Sequence, residues 1–237
     1  MDGWRSRFKR LHRTWSLSEE QCTPTIKINS PDATPQTETC GPEDEGELPP
    51  VQLCGYLGST RDRLLTAELC AELRPLMPSR IQLYTKWCLL YSLEQHGASL
   101  HSLYEHVRPE EPAKARVGYL LIIRDRRGGL FGAYANEPFR PTESRRYSGN
   151  GECFLWSADL HPMLRLRVYP YTGINEFCIY CTSGFLSMGA GSGHYGLWCD
   201  EGLVHGVSER SPTFGNDALS REGPRFHIVA LEVWRVG

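Results

Sequence analysis

The sequence has little net charge and no long hydrophobic run. Its 26 lysines and arginines nearly balance 28 aspartates and glutamates, which gives a formal net charge of −2 over 237 residues. This balance gives no support to nucleic-acid binding. The longest apolar run, residues 117–123, is far shorter than the roughly 20 residues that a membrane-spanning helix needs. We therefore expect a soluble protein with no transmembrane segment and no nucleic-acid partner.

Common catalytic motifs are also absent. The sequence has no G-x-S-x-G nucleophile turn, no P-loop and no H-E-x-x-H zinc motif, and its eight histidines do not cluster. Ser99, between His96 and His101, is better explained as the N-cap of a helix than as a nucleophile. The sequence therefore predicts no catalytic residue, no metal ligand and no cofactor, and we expect that the chain is not an enzyme.

The nine cysteines show no disulfide or zinc framework. They are odd in number and scattered, and no apolar signal segment follows the N-terminus, so we expect free thiols in a reducing compartment. Cys178 and Cys181 form a C-x-x-C pair in a predicted strand, where positions three apart point to opposite faces. Buried thiols that act as small hydrophobic side chains are favoured. The alternative function is a thiol-based peroxide scavenger, which would need an exposed thiolate of low pKa.

One glycine-rich stretch has the spacing of a dinucleotide-binding fingerprint. Residues 191–196 spell G-x-G-x-x-G, but this motif binds phosphate where a helix begins directly after the glycines. Here the residues that follow favour a strand and then a turn. We expect that Gly189, Gly191 and Gly193 instead permit a tight turn or a close approach between two elements.

Glu152 is the most conspicuous carboxylate of the sequence. It follows the glycine turn Gly149-Asn-Gly151 and precedes the apolar run at residues 153–156. One carboxylate without a second acid, a base or a metal site is weak support for catalysis. The predicted partner-contact or structural residues are therefore Glu152, Gly149, Gly151, Gly189, Gly191 and Gly193.

The first 61 residues differ in composition from the rest of the chain. Residues 4–15 are basic and carry four apolar side chains at helical spacing, which is typical of a mitochondrial presequence or of contact with an anionic membrane surface. A solvated basic tail is the alternative. Residues 18–50 are rich in proline and polar or acidic residues, and we expect disorder there. The expected location is the mitochondrion, with the cytoplasm as the alternative.

From residue 62 to residue 237 the sequence predicts one folded domain. Leucines at helical spacing predict a helix over residues 64–77, and Ser99 predicts the start of a second helix. Beyond residue 116, short apolar segments alternate with turn signals, which favours antiparallel sheets. The predicted strands are residues 117–123, 130–134, 165–169, 176–182, 195–199, 203–205 and 226–236.

Seven stretches, in this order, resemble the TLDc-domain family and more closely its fungal oxidation resistance branch. They run through most of residues 62–237, and their order is more specific than any single stretch. The stretches are Trp87-Cys-Leu-Leu-Tyr-Ser, His96-Gly-Ala-Ser with Leu103-Tyr, Gly129-Leu-Phe-Gly-Ala-Tyr134, Tyr147-Ser-Gly-Asn-Gly-Glu-Cys-Phe-Leu-Trp156, the glycine-rich residues 189–198, Thr213-Phe-Gly-Asn216 and Glu232-Val-Trp234.

The resemblance implies an α+β fold in which two antiparallel β-sheets form a sandwich with flanking helices. It also implies protection against oxidative damage without an agreed catalytic centre. Family members bind the vacuolar-type proton-pumping ATPase and alter its assembly, so the soluble sector of that ATPase is the expected partner. Fungal members are associated with mitochondria, which fits residues 4–15. Cys178 and Cys181 do not belong to the family pattern.

Overall fold

The computed structural model describes residues 48–109, 116–142, 146–160 and 162–237. The predicted basic segment at residues 4–15 and nearly all of the predicted disordered segment lie outside these ranges. The described helices are α1 (Ala67–Leu73), a 3-10 helix (Arg74–Leu76), α2 (Ser79–Gln82), α3 (Leu93–His96) and α4 (Leu100–Val107). The described strands are β1 (Gln52–Cys54), β2 (Lys86–Ser92), β3 (Gly118–Asp125), β4 (Leu130–Ala135), β5 (Phe154–Asp159), β6 (Arg165–Pro170), β7 (Ile179–Cys181), β8 (Phe185–Gly191), β9 (His194–Asp200), β10 (His205–Val207) and β11 (Arg225–Val236).

The strands divide into two sheets that share β11. The large sheet has the order β1-β2-β11-β3-β4-β5-β6, and the small sheet has the order β11-β10-β9-β8-β7. Among the described strands, only β1 and β2 pair in parallel. Strand β11 pairs first with β10 and then with β3, and its register against β3 shifts between Ile228 and Ala230. A shift of this kind bends a strand, which lets β11 pass from one sheet into the other.

The inward faces of the two sheets form the hydrophobic core. Because side chains alternate along a strand, each sheet contributes every second residue to it. Helix α4 contributes its buried face at one edge of this core. The core includes Leu121, Phe131 and Leu155 from the large sheet, Met188 and Leu197 from the small sheet, and Leu100, Leu103 and Val107 from α4. The predicted sandwich of antiparallel sheets with flanking helices is confirmed.

A helical segment covers the other face of the large sheet. The ring of Tyr56 packs edge-on against Trp234, with 5.0 Å between the ring centroids. The backbone N–H of Leu64 donates to Glu232 of β11. The apolar residues of this segment are buried: Leu64, Leu65, Leu69, Leu73, Met77 and Ile81. The described part of the chain therefore has three layers, a helical segment and two sheets.

The first helix is shorter than the leucine spacing predicts. Helix α1 begins only after Thr66, whose hydroxyl oxygen accepts the N–H of Leu69 at 3.2 Å. It changes to a 3-10 turn at Arg74 because Pro75 has no N–H to continue the α-helical pattern. Ser99 caps α4 as predicted, since its hydroxyl accepts the N–H of Ser102.

Most predicted strands are present, and four further strands were not predicted. The sequence pattern does not predict β1, β2, β5 and β8. The predicted strand at residues 176–182 is confined to Ile179–Cys181, because the Asn175 side chain accepts the N–H of Phe177 and turns the chain before β7. Strand β1 lies before residue 62, the predicted start of the folded domain. This domain boundary stays a prediction. Within the described ranges no helix has the length and apolar character to cross a membrane.

Candidate functional site

The glycine-rich stretch forms a hairpin between β8 and β9. Gly191 pairs with His194, so Ser192 and Gly193 alone make the turn, with φ values of 54° and 83°. Positive φ at both central residues is the geometry of a tight two-residue hairpin, which glycine adopts easily. Strand β9, and not a helix, follows the glycines, so no helix N-terminus is available for a phosphate.

Gly189 lies where β8 meets the loop that precedes β11. A Cβ atom there would lie 2.5 Å from the Phe214 ring and 2.8 Å from the Ser211 hydroxyl, and its φ is +72°. The loop is held in this position by Asn216, whose side-chain oxygen accepts both the N–H and the hydroxyl of Ser211. The geometry at Gly189 is therefore a close approach between two elements, and Gly191 approaches Pro212 in the same way.

Glu152 forms an ion pair with Arg80 of α2. Each carboxylate oxygen of Glu152 accepts a hydrogen bond from one guanidinium nitrogen of Arg80, and both bonds are 2.5 Å long. These hydrogen bonds raise the pKa of Arg80. The Glu152 side chain is 25% exposed and that of Arg80 is 41% exposed. Gly149 has a φ of +81° and lies against Ile179, whereas Gly151 lies against the ring of Tyr171. The turn before β5 is thus attached to the helical layer.

We predict that Glu152→Ala lowers the free energy of unfolding by about 1 kcal/mol or less, because a bidentate but solvent-exposed ion pair contributes little. The measurement is urea unfolding of the wild type and the variant. Arg80→Ala should cause a similar loss, and the double variant should lose no more than the sum. A loss above about 3 kcal/mol would instead show that the carboxylate supports buried groups.

Six aromatic side chains cover one end of the outer face of the small sheet, the face directed away from the core. Neighbouring ring centroids lie between 4.5 and 6.1 Å apart in a continuous series. Each of these side chains retains part of its exposure, and Phe177 is 39% exposed. We call this group the aromatic surface, and it consists of Tyr147, Phe177, Tyr180, Phe185, Tyr195 and Trp198.

Strand register brings the aromatic surface together from distant parts of the sequence. Ser187 of β8 lies opposite Tyr180 on one side and Trp198 on the other. Its side chain is small and 1% exposed, and its hydroxyl donates to the carbonyl oxygen of Tyr180 at 2.8 Å. The sequence pattern alone does not predict this surface. One signal in the sequence could have indicated it. Tyr180 and Trp198 each precede a cysteine that is buried, Cys181 and Cys199, so the two aromatic side chains point outward.

Charged and polar side chains border the outer face on β10 and β11. His205 and His227 lie opposite each other, with 5.2 Å between their ring centroids. Asp200 contacts His205 at 3.2 Å, and Glu222 contacts His227 at 2.9 Å. Burial would raise the pKa of Glu222, but hydrogen bonds from His227 and a backbone N–H outweigh it and lower that pKa to about 2. The aromatic surface therefore has a hydrated, charged border.

Five of the seven described thiols are buried. Burial raises the pKa of Cys70 to about 12 and that of Cys181 to about 12. The Cys178 thiol donates to the carbonyl oxygen of Asn150 and that of Cys153 to the side-chain oxygen of Asn136. Interaction with Cys178 lowers the pKa of the Cys153 thiol. Cys153 is nevertheless fully buried. Cys22 and Cys40 lie outside the described residues.

Within the described ranges, no group of three or more histidine, cysteine, aspartate or glutamate side chains could hold a metal ion. The predicted contact residues also do not form one cluster. Glu152, Gly149 and Gly151 belong to the turn before β5, whereas Gly191 and Gly193 lie at the end of the β8–β9 hairpin. Tyr195 follows that hairpin directly. The β8–β9 hairpin and the aromatic surface are therefore next to each other.

The fold and this surface define the class of protein: an antiparallel sandwich with a flanking helical layer and an aromatic outer face. The chain belongs to the TLDc domain family, whose sequence profile matches residues 58–237. Over all 237 residues it is 94% identical to oxidation resistance protein 1 of Eremothecium gossypii, with complete coverage of both chains. It is 58% identical to oxidation resistance protein 1 of Saccharomyces cerevisiae over 219 residues, which cover 82% of this chain and 80% of that protein.

A third relative shows the same agreement. Oxidation resistance protein 1 of Kluyveromyces lactis is 62% identical over 210 residues, which cover 82% of this chain and 84% of that protein. The resemblance to the TLDc family and its fungal branch is confirmed. None of these relatives carries a name that denotes a catalytic activity.

Proposed function

We propose that the chain resists oxidative damage by binding a protein partner through the outer face of the small sheet. The observation that carries this proposal is the aromatic surface, in which six part-exposed rings lie side by side. Four of the six lie on strands, where positions that face water are usually polar. The role in oxidation resistance comes from the names of the relatives. The binding mode comes from the geometry of the surface.

The composition of the aromatic surface suits a protein interface. Tyrosine and tryptophan are enriched at the centres of such interfaces, where they contribute large contact areas and a polar atom that can hydrogen bond. Tyr180, Phe185 and Trp198 lie on strands, so their positions are fixed by the backbone before a partner arrives. The charged border with His205 and Glu222 matches the polar rim of an interface.

The proposed partner is the soluble sector of the vacuolar-type proton-pumping ATPase, and the proposed effect is a change in its assembly. This identity comes from the family resemblance, not from the geometry of the surface. The contact role of Glu152 and of Gly149, Gly151, Gly189, Gly191 and Gly193 stays a prediction within this proposal. Gly191 and Gly193 are the two of these residues that lie in the β8–β9 hairpin, and this hairpin is next to Tyr195 of the aromatic surface.

The proposal makes the chain a binding factor and not an enzyme. The strongest support is that Glu152, the most conspicuous carboxylate of the sequence, has structural contacts: its side chain pairs with Arg80, and its N–H donates to the side-chain oxygen of Asn150. Peroxide scavenging by a thiol remains the alternative function. The lowered pKa of Cys153 favours it, and the burial of that thiol opposes it.

Binding of the full chain to the isolated soluble sector of the ATPase tests the proposal. We predict saturable binding that Trp198→Ala weakens by about 30-fold, the size expected for an aromatic residue at the centre of an interface. Leu83→Ala is the matched control, because Leu83 is 70% exposed and follows α2 in the helical layer. Absence of binding to an active sector would reject the partner. Equal binding by wild type and Trp198→Ala would reject the surface.

The proposed location is the mitochondrion, with residues 4–15 as the segment in contact with an import machinery or an anionic membrane surface. Imaging of the chain with and without residues 1–17 tests this location. Unchanged mitochondrial signal after the deletion would remove residues 4–15 from the proposal.

A further inference from the structure

Two of the seven described cysteines differ from the others in exposure. Cys54 of β1 and Cys88 of β2 are both half-buried, whereas Cys70, Cys153 and Cys181 are at most 1% exposed. Cys178 and Cys199 are likewise buried. A small oxidant in solution can therefore reach Cys54 and Cys88 without opening of the hydrophobic core.

The parallel pairing of β1 and β2 places these two cysteines directly opposite each other. Gln52, Leu53 and Cys54 are registered with Lys86, Trp87 and Cys88. Registered residues on neighbouring strands point to the same face, and the strands lie about 4.8 Å apart. This spacing falls within the Cα–Cα range of about 4.4–6.8 Å that disulfides occupy. The Cys54 thiol lies close enough to Cys88 for the two groups to interact electrostatically.

The surroundings of the pair permit the small movement that a covalent bond requires. Strand β1 has three residues and lies at the edge of the large sheet, so its only strand partner is β2 among the described residues. The thiol of Cys54 donates to the carbonyl oxygen of Trp87 at 3.2 Å. Burial and the neighbouring Cys88 raise the pKa of Cys54 to about 11, although Lys86 and Arg235 act in the opposite direction. Cys54 is thus protonated at neutral pH.

We propose that Cys54 and Cys88 are a reversible oxidation site that forms a disulfide in the presence of a hydroperoxide. In the first step, the Cys88 sulfur attacks the hydroperoxide and gives up its proton, the O–O bond breaks, and Cys88 sulfenic acid and an alcohol, or water from hydrogen peroxide, are formed. In the second step, Cys54 attacks the sulfenic sulfur, releases its proton and displaces hydroxide as water. Two thiols are oxidised and one hydroperoxide is reduced. This inference does not depend on the proposed ATPase partner.

The disulfide would close a loop that contains most of the helical layer. Residues 55–87 lie between the two cysteines and include α1, the 3-10 helix and α2. The cross-link would restrict the unfolded chain, so oxidation should stabilise the fold and raise the midpoint of thermal unfolding by about 5–10 °C. A protein that acts during oxidative stress would then become more stable as the oxidant accumulates.

Oxidation of the reduced full chain with hydrogen peroxide, followed by non-reducing peptide mapping, tests the inference. We expect a Cys54–Cys88 linked peptide, a mass loss of about 2 Da, a higher unfolding midpoint and full reversal by dithiothreitol. Cys88→Ser and, separately, Cys54→Ser should abolish the linked peptide and the stabilisation. Cys70→Ala is the matched control and should retain both.

Several outcomes of this experiment would overturn the inference. If the only disulfides found joined Cys153 to Cys178, or cysteines before residue 48, the oxidation site would not be Cys54 and Cys88. Overoxidation of Cys88 to a sulfinic acid without the link would show that Cys54 cannot reach it. If Cys88→Ser fails to fold, Cys54→Ser on the edge strand provides the same comparison. Binding to the ATPase sector is not measured, so the two proposals fail independently.

Discussion

Glu232→Ala is expected to lower the free energy of unfolding by about 3–5 kcal/mol, the combined cost of leaving several hydrogen-bond donors around a buried position without their acceptor. Glu232 is 1% exposed and accepts hydrogen bonds from three groups. The hydroxyl of Tyr56 lies 2.9 Å from both carboxylate oxygens, the N–H of Leu64 lies at 3.1 Å, and the indole N–H of Trp234 lies at 2.8 Å. Alanine leaves these donors without an acceptor, and each buried donor costs about 1–3 kcal/mol.

Urea unfolding, followed by fluorescence and circular dichroism, measures this loss. Glu232→Gln is the informative comparison, because glutamine preserves the shape and one acceptor oxygen but presents an N–H₂ group to the remaining donors. It should lose clearly less than alanine. Glu152→Ala is the matched control for removing a carboxylate from a part-exposed site. A Glu232→Ala variant within about 1 kcal/mol of wild type would contradict the assigned network.

The pH dependence of the same variants provides a second test of Glu232. Burial raises the pKa of this carboxyl, and the hydrogen bonds from Leu64, Trp234 and Tyr56 offset the effect only in part. The folded state therefore binds a proton more readily than the unfolded state. The Glu232 contribution to stability then falls as pH rises from about 4.5 through the raised pKa. This slope should be absent in Glu232→Gln.

The Glu232 network attaches the helical layer to the large sheet. Tyr56 and Leu64 belong to the segment before α1, whereas Glu232 and Trp234 lie on β11, about 170 residues later in the chain. The Glu232-Val-Trp234 stretch that marks the family is therefore a structural contact in this chain. The intervening Val233 belongs to the core between the sheets. One short stretch thus serves both faces of the large sheet.

Local sequence signals were sufficient for several elements. Ser99 predicts the start of α4, and the turn at residues 125–129 predicts the β3–β4 hairpin, because caps and turns depend on neighbouring residues. The sequence of β2 has no alternation of apolar and polar residues and no flanking turn signal. The strand is defined instead by its pairing with β11 and β1, which are distant in the sequence. The order of the family stretches, and not their local pattern, was needed to infer the two sheets.

The candidate site was less predictable because its parts come together only through strand register. Arg80 and Glu152 are 72 residues apart, and nothing near either residue indicates the partner. Cys178 interacts with Cys153, which lies directly before β5, and the C-x-x-C spacing does not indicate this neighbour. The aromatic surface spans residues 147–198 and becomes visible only when Ser187 is placed between Tyr180 and Trp198. Sequence spacing could identify these residue types but not their neighbours.

Gly132→Ala is expected to lower the free energy of unfolding by about 4 kcal/mol or more, or to prevent folding. Gly132 lies in the middle of β4, between β3 and β5. A Cβ atom there would overlap the backbone carbonyl oxygen of Leu121 and would lie 3.1 Å from Trp156. A side chain could rotate away from such a clash, but the Leu121 carbonyl belongs to a strand held by β11 on its other side. Relief would therefore separate β4 from β3 and disrupt the large sheet.

The matched control for Gly132→Ala is Gly58→Ala. No atom lies within 4 Å of a Cβ built at Gly58, and its φ is not in the left-handed region. This substitution should change the unfolding free energy by no more than about 0.5 kcal/mol. Thermal and urea unfolding of both variants measure the difference between them. If both variants were equally stable, the backbone of β4 could move away from β3 at Gly132. The presence of glycine at this position would then require an explanation other than the spacing of β3 and β4.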